Sequence, residues 1–333
     1  MSKKILVTGG AGYIGSHAAL ALLANGWDPI ILDNLSTGHQ KLIPDGVPHV
    51  LGNVEDPELL SSIFEQHDIA GVMHFAGSIV VPESVTDPIG YYENNTIASH
   101  TLIKACVCAN IRAVVFSSTA AVYGCPEVGT VSEDAPLNPI NPYGRSKLMT
   151  EWMLEDASRA CGLPYAALRY FNVAGADTKG RSGQAGPNST HLLRIACETA
   201  LGLRPDISIF GDDYDTEDGT CVRDYIHVED LVSAHVLALE KLLDEGGQLV
   251  LNLGYGHGVS VKQAIEVVEQ VGDVTLQKRI VARREGDPPV LIANADRAKA
   301  VLGWNAKHND LSTIVQSSLS WQAALPKFFE NQG

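Results

Sequence analysis

The sequence lacks any apolar run near the ~20 residues a membrane span needs, and its six cysteines contain no CxxC pair. The first absence argues against a membrane-spanning helix. The second leaves Cys106, Cys108, Cys125, Cys161, Cys197 and Cys221 as free thiols, expected to be buried as small apolar residues and suited to a reducing compartment. No metal-ligand spacing stands out, and no metal is expected. Positive charge is also scarce: 24 Lys and Arg stand against 39 Asp and Glu, for a net charge of −15. That balance excludes nucleic acid and anionic membranes as main partners, while a small anion needs only a few local arginines. The apolar stretch after Lys3 and Lys4 breaks at Thr8-Gly9-Gly10, too short for a signal-peptide core, so a cytoplasmic location is expected.

The composition, 45% apolar and 19% charged, is that of a globular protein. A chain of 333 residues suits a large domain plus a smaller one. Short apolar runs at 5–7, 29–32, 47–51, 71–75, 113–117 and 165–170 read as strands. They alternate with helical stretches at 14–25, 57–66, 98–109 and 142–159. Repeated βα units predict an α/β fold with a Rossmann-type, doubly wound parallel sheet. After Asn172 the texture changes. Residues 175–189 read as a polar loop or lid, and 211–219 as a second loop with five acidic residues. Helices are expected at 192–201, 228–243, 260–271 and 311–325. The expected division is a dinucleotide-binding domain over 1–173 and a smaller α/β substrate domain over 174–333, with 228–243 packing back on the first. No internal repeat is present.

Gly10, Gly12 and Gly15 fit GxGxxG, and Gly9, Gly12 and Gly15 fit a GxxGxxG spacing, directly after the first strand and at the start of the first helix. Glycines there permit a tight turn and let the backbone approach a pyrophosphate, while the helix N-terminus supplies free N–H groups and partial positive charge. Asp33 ends the second strand, where a carboxylate accepts from the adenosine ribose hydroxyls. It would repel the 2′-phosphate of NADP, so NAD is favoured. The alternative for Asp33 is a turn cap. Phe75-Ala76-Gly77 could lie against the cofactor or simply pack.

Tyr143 and Lys147 stand four apart after Pro142, at an expected helix start, and so share a face. A lysine ammonium favours phenolate, as does a positive nicotinamide ring. Moving a tyrosine from about 10 towards 7 takes roughly 4 kcal/mol of differential stabilisation and gives a base poised near working pH. The preceding strand ends in Phe116-Ser117-Ser118-Thr119, and the Thr119 hydroxyl can share the substrate proton with Tyr143.

At these residues the chain resembles the extended short-chain dehydrogenase/reductase superfamily, and within it the UDP-glucose 4-epimerase family. The resemblance is carried by TGGAGYIGSH (8–17), HFAG (74–77), SSTAAVYG (117–124), NPYGRSKLMTE (141–151), RYFN (169–172), DGTCVRDYIHV (218–228) and RREGD (283–287). It implies NAD held by Gly9, Gly12, Tyr13, Ile14, Gly15, Asp33, Asn34, Asn53, Val54, Phe75, Ala76, Gly77, Asn94, Ser117, Tyr143, Lys147 and Tyr170. Tyr143 would be the base, Lys147 its partner and Thr119 the second hydroxyl. The UDP-sugar would meet Thr119, Tyr143, Asn172, His191, Leu192, Ser208, Phe210, Arg223, Arg284, Asp287 and Leu291. The two arginines would hold the diphosphate and Asp287 the uridine ribose. Salt bridges from Arg223 to Asp224, or from Arg284 to Glu285, are the alternative.

The chain departs from the family pattern in places. Asn53 stands where some relatives have Asp, Ile79 where some have Lys, and His191 where some have Asn. Thr119 replaces the commoner Ser and keeps the hydroxyl. Leu291 takes the position of a sugar-pocket gatekeeper, where Tyr favours plain hexoses and a small residue admits N-acetyl sugars. The implied activity is C4 epimerisation of UDP-glucose and UDP-galactose through a transient 4-keto sugar and NADH, which serves galactose metabolism. The alternatives are another UDP-sugar (an N-acetylhexosamine, pentose or uronate) or a non-enzymatic NAD-sensing protein. Dehydratase relatives carry acidic residues after the motif threonine, whereas Ala120 and Ala121 stand here. A homodimer is expected, formed through the helices near 98–109 and 149–160.

Overall fold

The computed structural model describes residues 2–186, 190–284 and 286–330. The chain opens with β1 (Lys4–Thr8), α1 (Tyr13–Ala24), β2 (Asp28–Asp33), β3 (His49–Leu51), α2 (Pro57–Gln66) and β4 (Ile69–His74). Then come α3 (Val81–Thr86), α4 (Pro88–Tyr91), a π-helical turn at Tyr92–Ile97, α5 (Ala98–Cys108), β5 (Val114–Thr119), a 3-10 turn at Ala120–Tyr123, β6 (Thr130–Val131), α6 (Pro142–Cys161), β7 (Tyr165–Tyr170) and β8 (Asn172–Ala174). The second half holds α7 (Leu192–Ala200), β9 (Ile207–Phe210), β10 (Val222–Arg223), β11 (Tyr225–His227), α8 (Val228–Glu245), β12 (Gln248–Leu253), β13 (Val259–Ser260), α9 (Val261–Gly272), β14 (Lys278–Val281), β15 (Val290–Ala293), α10 (Asp296–Leu302) and α11 (Leu311–Glu330).

Seven parallel strands form one sheet in the order β12-β7-β5-β4-β1-β2-β3. This is the expected doubly wound Rossmann-type arrangement, with its switch point between β1 and β4. Side chains alternate across β1: Ile5 and Val7 join the core under α1 and α8, whereas Leu6 joins the core under α2, α5 and α6. Burying both faces explains why the strands read as nearly continuous apolar runs. Each fully buried leucine, such as Leu22 or Leu154, contributes about 1.5–3 kcal/mol. Local signals set the helix starts. The Asp56 carboxylate accepts the N–H groups of Glu58 and Leu59 just ahead of α2, and Pro57 takes the first helical position.

A smaller layer covers the carboxyl ends of the strands. It holds the four-stranded sheet β13-β10-β15-β6 and the pairs β11-β8 and β14-β9. Helices α7, α9 and α11 share a third core around Leu193, Ile265, Val268 and Ile314. The chain crosses between the layers more than a single division at 173 describes. Helix α8 packs its Leu231 and Leu239 into the core beneath α1, and β12, not among the expected strands, adds the outer strand beside β7. In return, β6 pairs with β15.

Helix α11 also reaches back across the first layer. Trp321 leaves no space for a Cβ at Gly183 and donates to the Gln184 carbonyl at 3.1 Å. Phe329 packs on His39 with ring centroids 4.3 Å apart, and its carbonyl accepts from Lys41. All six cysteines are free, but only Cys106, Cys197 and Cys221 are buried; the exposure of Cys108, Cys125 and Cys161 corrects the expectation of six buried thiols. Among the described residues no helix is long and apolar enough to cross a membrane.

Candidate active site

The residues singled out at strand ends gather along one edge of the seven-stranded sheet. Gly9, at φ +70°, turns the chain out of β1; its N–H donates to the Leu32 carbonyl at 2.9 Å, and a Cβ there would lie 2.6 Å from the Ala76 nitrogen. A Cβ at Gly15 would lie 2.2 Å from the Gly9 carbonyl oxygen. A Cβ at Gly12, by contrast, meets only that same oxygen at 3.2 Å, so the space beyond it is open. Gly12 caps α1 without a side chain, and the first turn carries no acidic residue. The N–H groups of Tyr13 and Ile14 are therefore left for an anion.

Asp33 is buried where β2 ends. One carboxylate oxygen accepts the Ala11 N–H at 2.9 Å and the other accepts Leu35 N–H at 2.8 Å. The turn-cap role is thus present, and each oxygen keeps a lone pair for a ribose hydroxyl. Beside it the Asn34 amide donates to Asn53 Oδ1 at 2.7 Å, with Val54 buried behind. Phe75 to Gly77 run from the end of β4 towards α6, and a Cβ at Gly77 would come 3.8 Å from Lys147 Nζ.

Asn141 caps α6 by accepting the Gly144 N–H at 2.8 Å, and Pro142 presets the first turn. Tyr143 and Lys147 then rise on the face that meets β5. The Tyr143 hydroxyl lies close enough to Thr119 for that hydroxyl to favour its phenolate. Lys147 is 3% exposed, makes one hydrogen bond, to the Ser117 carbonyl at 3.0 Å, and sits 4.9 Å from the Phe116 ring centre. Among the described residues it has no carboxylate partner. Two of its three donors are unspent, and burial lowers its pKa to about 8. Burial pushes the Tyr143 phenol up, against the pull of Thr119. The expected lowering by Lys147 is absent from the chain alone, where burial dominates and only Thr119 opposes it. The Ser117 and Tyr170 hydroxyls are bonded to each other alongside.

Sequence reading missed Asn95. It is buried in the π-helical turn, accepts the Ser78 N–H at 2.7 Å and donates to Ser146 Oγ at 3.0 Å; Ser146 in turn donates to the Tyr143 carbonyl at 2.7 Å. It thus joins the loop after Gly77 to the base of the Tyr143 helix. Asn94, chosen from the resemblance, is exposed and donates to Ser78 Oγ at 2.8 Å. Only the π-helical register decides which of two adjacent asparagines turns inward, and no sequence period reports it.

The proposed substrate residues fall into neighbouring groups. Arg223 on β10 pairs with Asp287 and stands directly across from Leu291 on β15. It does not pair with Asp224, whose carboxylate accepts the N–H groups of Tyr255, Gly256 and Ala293 at 2.9, 2.9 and 3.2 Å. The Arg284 guanidinium lies 3.9 Å from the Phe210 ring centre, with no ion pair among the described residues. Glu285, its rival partner, lies outside the described residues, as do 187–189 of the expected loop. Leu291 and Phe171 both pack against the small core of Ala120, Val122, Tyr123, Val131 and Leu148. Ser208 accepts from Arg279 at 3.2 Å. His191 bonds Gln184 ahead of Leu192, and burial lowers its pKa to about 4.

The model of the NAD dependent epimerase/dehydratase family matches residues 5–254. A UDP-glucose 4-epimerase of Azospirillum brasilense is 56% identical over 97% of this chain and 93% of its own. The crystal structure of a UDP-glucose-4-epimerase from Stenotrophomonas maltophila, with bound NAD and formylated UDP-arabinopyranose, superposes with TM-score 0.94. It is 39% identical over 97% of this chain and 99% of that one. A UDP-Glc/GlcNAc 4-epimerase from Campylobacter jejuni gives TM-score 0.85 and 45% identity, over 97% and 99%.

Proposed function

The chain belongs to the NAD-dependent epimerase/dehydratase family, and from that premise we infer that it is an isomerase that interconverts UDP-glucose and UDP-galactose by inversion at C4. The observation that carries this reading is the meeting of Tyr143, Thr119 and the unpaired Lys147 at the strand edge that also carries the glycine turn.

The open face at Gly12, the uncapped α1, the Asp33 carboxylate and the unspent Lys147 donors fit a dinucleotide, and we assign them to NAD. Bound there, NAD supplies a hydride acceptor and donor for C4. Tyr143 removes the C4-hydroxyl proton, directly or through Thr119, and returns it after inversion. Lys147 stabilises the phenolate. Arg223 and Arg284 hold the diphosphate, Asp287 and Phe210 the uridine end, and Asn172, His191, Leu192 and Ser208 line the approach. Inversion requires the 4-keto sugar to turn and present its other face, so the nucleotide is gripped while the sugar is held loosely. Ala120 and Ala121 offer no acid for dehydration. Leu291, shorter than tyrosine, supports some acceptance of N-acetylated sugars.

Trp152 on α6 is 53% exposed, and Ile89 and Ile97 are exposed on α4 and the π-helical turn, both of which contact α6. Exposed apolar side chains of this size on and beside α6 support the expected homodimer. The free cysteines support a cytoplasmic setting.

The test is incubation of the purified protein with UDP-galactose and no reductant, with the UDP-sugars resolved by chromatography. Growth of UDP-glucose to a fixed ratio without net NADH is expected. No conversion by protein that holds NAD would overturn the hexose assignment.

A further inference from the structure

A run of buried polar side chains joins the end of β1 to α6, and the chemistry above does not use it. Thr8, His74, Ser99, Asn95 and Ser146 are each at most 3% exposed. Chemistry fixes the direction of each bond. The Ser99 hydroxyl has one proton, which goes to the Asn95 carbonyl in the π-helical turn. Ser99 Oγ therefore accepts from His74 Nε2 at 2.9 Å, which leaves Nδ1 bare to accept the Thr8 hydroxyl at 2.7 Å. Burial, with the Lys147 charge behind it, lowers the His74 pKa to about 3, so the ring stays neutral and keeps this tautomer at working pH. The imidazole stacks on Phe116 with centres 5.7 Å apart. Beyond Ser99, the Asn95 amide grips Ser78 at both ends: Oδ1 accepts its N–H at 2.7 Å, and Nδ2 donates to its carbonyl at 3.0 Å. Nδ2 also donates to Ser146 Oγ, whose own proton goes to the Tyr143 carbonyl. Gly77 lies between: a Cβ there would stand 3.0 Å from Asn95 Oδ1 and 3.8 Å from Lys147 Nζ.

We propose that His74 is a positioning residue for the epimerisation assigned above: its neutral imidazole fixes the π-helical turn through Ser99, and Asn95 carries that placement to Ser78 and to the turn of α6 that bears Tyr143. The inference rests on that reading of the site. β4 ends at His74, and Phe75, Ala76 and Gly77, assigned to NAD, follow at once. The distance from bound NAD to the base thus depends on a link between this loop and α6, and Asn95 supplies one. A π turn is a rare form, found mostly at functional sites, and it is what turns Asn95 inward. Ser99, backed by His74, holds the carbonyl of the same residue whose amide does the gripping. Without the imidazole donor Ser99 can rotate and the turn loosens. Misplacement by about 1 Å, even from a change far from the chemistry, can cost about 10²-fold in rate. The tautomer also divides the work within the ring. Nδ1 serves Thr8 and the glycine turn, whereas Nε2 serves the path to Tyr143. Sequence reading gave the histidine of HFAG (74–77) no role, because its partners lie 66 and 25 positions away.

Three variants of the full, NAD-loaded protein test this. In His74→Gln the amide nitrogen reaches as far as Nε2 and keeps the bond to Ser99. In His74→Asn the amide matches Nδ1 and loses it. Ser99→Ala removes the next link and leaves the imidazole in place, so it decides the matter if His74→Asn does not fold. His74→Asn and Ser99→Ala should lower kcat for UDP-galactose about 10–100-fold with KM and NAD content unchanged, and His74→Gln should recover most of the loss. The second readout is the ultraviolet titration of the Tyr143 phenol, obtained by subtracting Tyr143→Phe. Its midpoint should rise by about one unit in the two impaired variants, as Tyr143 moves away from Thr119 and the positive nicotinamide. Parent-like kcat and midpoint in a folded, NAD-loaded His74→Asn or Ser99→Ala overturn the proposal. So do equal losses in His74→Gln and His74→Asn, which would make the ring a packing element. A parent that converts no UDP-hexose counts against the epimerase reading, whereas the titration needs no substrate and still decides the role of His74.

Discussion

The nucleotide shelf proposed at the end of β1 and the arginine cluster proposed for the diphosphate beside β10 are both assigned to anions, yet they are built from different material. The shelf is backbone: at Gly9 and Gly15 a single added carbon would collide with main-chain atoms, and the donors are amides fixed by the turn. The cluster is side chain: Arg223 rests on Asp287 and Arg284 on Phe210, partners that can be exchanged for a ligand. A rigid cradle costs nothing to organise when the ligand stays through turnover. Pairing with Asp287 between substrates avoids stranding the Arg223 charge in a partly buried site.

Four substitutions test that contrast. The largest effect lies where the two regions meet. Tyr143→Phe should cut turnover by about 10²–10⁴-fold while NAD and UDP still bind; retention of activity would remove Tyr143 as the base. Next, Arg223→Leu should raise KM about 10–100-fold, the scale of lost charge-assisted bonds, with little change in kcat. A fall confined to kcat would mean that Arg223 acts at the reacting carbon.

Gly15→Ala should cost about 1–3 kcal/mol of stability through overpacking and yield protein that purifies without NAD, read by melting temperature and released nucleotide. Full NAD content would show that the shelf yields as side chains do. The smallest effect concerns Lys147. Its folded pKa is about 8 against 10.5 in the open chain, so between these values the unfolded state binds the extra proton and stability rises with pH. Below about pH 8 the whole cost of the buried charge is present. Lys147→Met, stripped of NAD, should therefore melt above the parent at pH 7, and the gap should shrink towards pH 10. A constant gap would mean that burial does not shift the pKa of the lysine.

The same contrast marks what could be read in advance. The βα alternation, the glycine turn, Asp33 and the Tyr143–Lys147 pair are local, and periodicity or spacing exposes them. Features made by distant pairing were hidden. Strands β6, β10 and β13 are two residues long and carry no period, and β12 joins the first sheet only because α8 returns to it. The Arg223–Asp287 pair spans 64 positions, and the nearer candidate, Asp224, is taken by backbone amides. The upward push on Tyr143 was missed for a different reason: burial has no signature in the spacing of two residues.

The seam between Lys41 and Phe329 joins positions 288 apart. A ribosome releases the glycine turn and the loop after Asp33 early, and every intervening residue must follow before Phe329 can settle on His39. For most of synthesis His39 and Lys41 stand without their partner on α11. The order of manufacture thus leaves the loop beside the glycine turn unbraced until α11 has emerged.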